Sequence, residues 1–148
     1  MKSPIALPRV FVYGLATNAV WEFVQCVVFY DMWGWSISRA ALWMAGATLA
    51  DGVLVLGIVA LASRLLGGYY VWPPKARGWA VLILIGFMVG IAVEWVAQIF
   101  QWWKYGPLMP LITLFGYTLG VTPLLQMALL PGLSAHLAAL NAKQSSLD

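Results

Sequence analysis

Glu22, Asp51 and Glu94 are three of only five acidic residues in a chain of 148, and each interrupts a long apolar run. An ionisable side chain at the centre of a membrane helix costs at least about 2.5–3.5 kcal/mol on insertion scales. Asn, Gln or Thr could fix helix register at lower cost, so use in chemistry is the favoured reading of Glu22 and Glu94, with Asp51 as a third candidate. No Lys or Arg stands inside these runs to neutralise them. A carboxyl kept from both water and cations favours its neutral form, or shares a proton with a second carboxyl. A neutral carboxylic acid can donate a hydrogen bond and deliver a proton, which suits general-acid work or proton coupling. A divalent metal is the other way to satisfy such acids. His136 is the only histidine and stands near the far end of the sequence. A mixed His/carboxylate site is therefore not expected, an all-oxygen site is weakly signalled, and no cofactor is expected.

The spacing of the neighbours suggests a site. Gly14, Asn18, Glu22 and Cys26 recur every four residues, and Gly86, Gly90, Glu94 and Gln98 repeat the series 72 residues later. Residues four apart share one helix face. Each stripe begins small, which permits close helix approach, and then reaches a carboxyl. Phe23 and Trp95 match in the same register. A fainter echo at a spacing of 70 pairs Gly46 with Gly116 and Thr48-Leu49 with Thr118-Leu119. The expectation is a duplicated helical hairpin, its pseudo-symmetry axis along the membrane normal. Polar companions accompany the acids: Asn18 and Gln25 with Glu22, Gln98 with Glu94, and Thr122 and Gln126 further on. Trp21 and Trp95 each adjoin a glutamate. The predicted site thus has Glu22, Glu94 and Asp51 as catalytic groups, with Asn18, Trp21, Gln25, Trp95, Gln98, Thr122 and Gln126 as binding groups.

Elements must exist to position these residues, and the composition says which. Hydrophobic residues make up 63% and charged residues 9%, against about 45–50% and about 25% in soluble domains. Lipid must cover much of the surface. About 20 apolar residues cross the hydrocarbon core, and four stretches qualify: Val10–Tyr30, Ala40–Ser63, Trp79–Trp102 and Leu111–Leu130. Gly34 with Ser36, Gly67 through Pro74, and Gly106 through Pro110 separate them with turn chemistry. The runs are continuously apolar where barrel strands would alternate, so helices are expected. The fold class is all-α, an integral membrane four-helix bundle in one domain spanning residues 1–148. The first run is longer than the apolar region of a signal peptide and contains Glu22, so it reads as a retained helix. Lys2, Arg9, Arg64, Lys75, Arg77 and Lys143 fall on one side, and Arg39 and Lys104 on the other. The positive-inside rule then puts both termini in the cytoplasm, in an inner or cytoplasmic membrane.

Other signals limit the function. The net charge of +3 comes from scattered residues, so no nucleic-acid patch is formed. Cys26 is the only cysteine, which rules out an intrachain disulfide. No His-rich box, Gly-x-Ser-x-Gly, Cys-x-x-Cys or phosphate-binding loop is present. The aromatic segment Trp102–Pro110 is placed to cap a cavity above Glu94, or to form a tight outer turn. Pro123 is expected to kink the fourth span, Pro131 to end it, and 141–148 to be a short disordered tail. The general build is similar to small carboxylate-bearing isoprenoid cyclases and small multidrug exporters, although no specific motif carries over. The leading expectation is an outward-facing pocket with paired glutamates. It would bind a lipid-like or isoprenoid molecule and perform cofactor-free acid/base chemistry. The alternatives are a proton-coupled small transporter of hydrophobic compounds and an accessory subunit of a larger membrane complex. The expected partners are membrane lipid, a hydrophobic small molecule, and further copies or subunits, with no nucleic acid.

Overall fold

The computed structural model describes residues 5–144, so Lys2 and the end of the expected tail lie outside the described residues. Four helices are long and apolar enough to cross a membrane: α1 (Leu7–Val28), α2 (Ile37–Leu66), α4 (Ala76–Phe100) and α5 (Val121–Gln144). A single turn, α3 (Gly68–Val71), links α2 to α4. The protein is a multi-pass membrane four-helix bundle.

α2 packs against α1, and α5 against α4, while α5 also meets α1 and α2. Of the most apolar stretch of α5, 67% is buried inside the protein, against 22–33% in the other three. α5 is therefore the packed centre, and the others turn one face outward. Both predicted stripes face inward: Gly14, Asn18, Glu22 and Cys26 on α1, and Gly86, Gly90 and Glu94 on α4, are all buried. The small residues seat neighbouring helices. A Cβ built on Gly86 would lie 1.9 Å from the Met127 carbonyl oxygen, so the α4–α5 seam is backbone on backbone. Pro131, four residues after Met127, has no N–H to give that carbonyl. The helix bond that Pro131 cannot make leaves the oxygen free for the Gly86 Cα–H.

Five expectations about the fourth span and the segment after it need correction. Leu111–Leu130 is not one helix. Leu111–Leu114 (β1) and Tyr117–Gly120 (β2) form an antiparallel hairpin, with Leu111 opposite Gly120 and Leu114 opposite Tyr117. The two-residue turn, Phe115-Gly116, has φ of 51° and 81°. Positive φ at both positions gives a turn whose twist matches that of the strands. Ile112, Thr113 and Thr118 are β-branched and favour the strand. The spacing-70 echo fails for the same reason, since Gly116 and Thr118 lie in the hairpin and Gly46 and Thr48 in α2. Pro131 lies inside α5 and does not end it. Pro123 stands in the first turn of α5, where a missing N–H costs nothing, and so it kinks nothing. Residues 141–144 continue α5.

The half of the bundle around α3 is filled by Val10, Val55, Ile58, Ala62, Leu82 and Ala135, all buried in one apolar cluster. The other half holds the carboxyls and a cavity.

Candidate functional site

Each long helix delivers one polar group to a common level. Glu22 lies six residues before the end of α1, and Glu94 six before the end of α4, about 9 Å along either axis. Gln126 lies in the second turn of α5. Asp51 sits fourteen residues into α2, yet reaches the same level because α2 extends beyond its neighbours.

Gln126 is the hub. Its Nε2 lies 2.7 Å from Asp51 Oδ2, 2.9 Å from Asn18 Oδ1 and 3.0 Å from Glu22 Oε1. An amide has two N–H groups, so three acceptors compete for two hydrogens. The Glu22 and Asp51 carboxyls thus converge on one amide nitrogen. Gln25 Nε2 donates to Glu22 Oε1 at 3.4 Å and to Gln126 Oε1 at 3.3 Å. The Cys26 thiol donates to Glu22 Oε2 at 3.7 Å.

Glu94 belongs to a second network. Its Oε2 accepts from the Tyr105 hydroxyl and, at 3.1 Å, from the Gly120 N–H. The Tyr105 oxygen receives Gln98 Nε2 at 2.9 Å and the Gly120 N–H at 3.0 Å. With its lone pairs taken, the phenol proton points at Glu94. Burial, with the Glu94 carboxyl beside it, pushes the Tyr105 phenol up from its ordinary range, so it remains a donor. Glu94 Oε1 is buried and has no partner among the described residues. Gly120 reaches Glu94 because the chain after α4 folds back. The N–H of Gly106 donates to the Phe29 carbonyl at 2.7 Å, the N–H of Asp31 to Lys104 at 3.0 Å, and the N–H of Val121 to Pro110 at 2.8 Å.

Glu22, Asp51 and Glu94 all line one cavity of about 320 Å³, with Gln25 and Gln126 beside them. Tyr30, Trp43, Trp102 and Trp103 form its aromatic wall. Trp103 packs edge-on to Tyr30 at 5.8 Å and to Trp43 at 6.4 Å between ring centres. Leu42, Gly46 and Ala50 of α2 also line it and are exposed on the bundle surface. On α4, Val93 and Glu94 form the facing wall. The cavity therefore opens sideways between α2 and α4, toward the surface that lipid would cover. Among the described residues, every hydrogen bond to the three acids comes from an amide, thiol, phenol or backbone N–H, and none from Lys or Arg.

The predicted residues divide accordingly. Glu22, Asp51, Glu94, Gln25 and Gln126 meet at the cavity, and Asn18 buttresses Gln126. Gln98 acts at one remove, through Tyr105. Trp21, Trp95 and Thr122 do not line the cavity. Successive helical residues point about 100° apart, so an inward Glu94 turns Trp95 outward. Trp95 is 42% exposed and packs on Tyr117 of the hairpin, at 5.6 Å between ring centres. Trp21 donates to Gln25 Oε1 at 2.9 Å from the far side of α1. Thr122 donates to Met109 Sδ at 3.2 Å. Sequence reasoning included Tyr105 only within the capping segment Trp102–Pro110, not as a partner of Glu94, and overlooked the Gly120 N–H. Their signal lay in two four-residue runs separated by Phe-Gly, which reads as a hairpin. Among the described residues, no three His, Cys, Asp or Glu side chains are placed to hold a metal ion.

Comparison of the chain with protein-family models, with curated proteins and with solved structures finds no match.

Proposed function

We propose that the cavity takes the polar head of a lipid-like or isoprenoid molecule from the bilayer, and that the Glu22–Asp51 pair exchanges a proton with it. The observation carrying this reading is that carboxyls from three helices meet at a cavity open sideways between α2 and α4, with no Lys or Arg lining it among the described residues. A volume of about 320 Å³ is at the small end for ligand sites. It suits a head and the first part of a chain, with the remainder lying in lipid. A proton shared between the two carboxyls is the chemical asset of this reading. A carboxyl pair holding one proton can release it to a ligand atom and recover it afterwards, with Gln126 and Gln25 bonded to the charge that remains. This chemistry requires no cofactor.

Two further features support binding in a closed-ended site over passage across the membrane. The apolar cluster around Val55, Ile58 and Leu82 fills the bundle below the carboxyls, and a transport route would need an exit there. The basic residues Arg9, Arg64, Lys75 and Arg77 support placing that packed end in the cytoplasm, with the cavity in the outer half of the membrane.

The test is capture. Wild-type protein and the Glu22→Gln and Asp51→Asn variants are extracted from native membranes in mild detergent, and bound organic molecules are identified by mass spectrometry. Wild type is expected to carry an amphiphile in stoichiometric amount, and both variants to lose it while remaining folded. Equal recovery from all three proteins would refute the reading. Co-purification of a protein subunit, with both variants unaffected, would point to the accessory-subunit alternative.

A further inference from the structure

Two buried polar atoms at the cavity wall lack hydrogen-bond partners among the described residues: Glu94 Oε1 and Trp103 Nε1. They are opposite in kind. The indole N–H can only donate. The hydrogen-bond directions around Tyr105 make Glu94 Oε2 an acceptor, so a proton on Glu94 would reside on Oε1, where nothing accepts it. Oε1 is thus an unpaired acceptor when Glu94 is ionised and an unpaired donor when it is neutral. The two residues line one cavity, and Tyr105 bonds the other oxygen of Glu94. A buried polar group with no partner costs about 1–3 kcal/mol. Two of opposite kind on one wall define what could relieve them both.

Resting on the function proposed above, we infer that the ligand's head is an uncharged hydroxyl. It would sit between Glu94 Oε1 and Trp103 Nε1, with its chain leaving past Leu42 and Gly46. Other heads fail on one atom or the other. A carbonyl, ester or quinone oxygen accepts from Trp103 but offers nothing to an ionised Glu94. An ammonium donates to Glu94 but leaves the indole N–H unpaired. A phosphate or carboxylate meets three acids and, among the described residues, no cation. A hydroxyl donates to Glu94 and accepts from Trp103, and it can reverse its role at Glu94 when that acid is neutral. Both atoms lie behind the cavity's surface, so the head reaches them by displacing the edge of the Trp103 ring. The Glu22–Asp51 pair lines the same cavity and is left free to trade its proton.

The test compares heads on one chain. Wild-type protein is reconstituted in phosphatidylcholine nanodiscs. Binding of radiolabelled hexadecanol is measured by competition against unlabelled hexadecanol, its methyl ether and hexadecylamine. The ether accepts but cannot donate, so it is expected to compete about tenfold less well than the alcohol, the factor for one lost hydrogen bond to a charged group. Trp103→Phe, which removes the donor that both heads accept from, is expected to weaken alcohol and ether alike, and Glu94→Gln, whose amide N–H would stand where Oε1 stood, is expected to close most of the gap between alcohol and ether. Gly46→Trp, at a position with open space around it, is expected to block all three. An amine that outcompetes the alcohol, or an ether that equals it, would overturn the hydroxyl assignment while leaving the cavity as an amphiphile site. No saturable binding of any probe, together with no effect of Gly46→Trp on molecules captured from native membranes, would overturn both readings.

Discussion

Replacing Gln126 with Leu tests the carboxyl network most directly. The substitution keeps a side chain of similar bulk, so little cavity cost is added. It removes two N–H donors now divided among Asp51, Asn18 and Glu22, and the acceptor for Gln25. At most three hydrogen bonds are lost at once. Inside membrane bundles a hydrogen bond averages about 0.6 kcal/mol and reaches about 1.7. The expected cost is therefore ~2 kcal/mol, with a ceiling near ~5 kcal/mol. Equilibrium unfolding in mixed micelles, followed through the tryptophan fluorescence, measures it. Asp51→Asn supplies the second arm, because it removes the proposed shared proton and changes what Gln126 contacts. The two substitutions touch the same bonds, so the double variant should cost ~1 kcal/mol less than the two singles added together. A Gln126→Leu protein within about 0.5 kcal/mol of wild type, or a strictly additive double variant, would refute the idea that Gln126 and a shared proton hold Glu22 and Asp51 together.

Other expectations follow from the packing and the loops. Gly86→Ala would place a methyl against the Met127 carbonyl and should cost about 2–3 kcal/mol through overpacking, whereas Gly46→Ala, with open space around it, should be neutral or stabilising in the same titration. Gly116→Ala puts a Cβ at φ of 81° and should cost about 1–2 kcal/mol, with faster hydrogen exchange at the hairpin amides but not in α1; unchanged exchange would mean the turn is not held in that conformation. Burial, with the nearby carboxyls, holds the Tyr30 and Tyr105 phenols above the ordinary range of about 10. The folded protein thus keeps protons that the unfolded chain releases, and stability should fall as pH rises beyond about 10. Tyr105→Phe should flatten that fall and leave the folded protein's phenolate absorbance near pH ~10 unchanged; a lost phenolate signal would contradict the burial argument.

The sequence announced the helices because burying a backbone in lipid requires long apolar runs, and α1, α2 and α4 are such runs. The inward faces of α1 and α4 were equally legible, since a four-residue period places Asn18 with Glu22 and Gly90 with Glu94 on one side. Two physical facts hid the rest. Apolarity does not distinguish a helix from a hairpin packed on a helix, so Leu111–Gly120 merged with α5, and with it went the contacts of Tyr105 and the Gly120 N–H with Glu94. Adjacency in sequence is also not adjacency at a site. Trp21 and Trp95 were paired with the glutamates beside them, but a helix turns neighbouring side chains to different faces. Of the four aromatics that do line the cavity, Trp43 and Trp103 come from other segments. Tertiary packing alone brings them there.

The contribution of one polar residue by each long helix has a consequence for how the chain enters the membrane. As α1 emerges from the ribosome and moves into lipid, Glu22 has no Gln126 to hold it. Asp51 and Glu94 arrive in the same uncompensated state. Each carries an insertion penalty of about 2.5–3.5 kcal/mol until the last helix arrives. Early helices should therefore linger beside the insertion machinery or a chaperone, and the bundle should close as a unit once α5 is delivered.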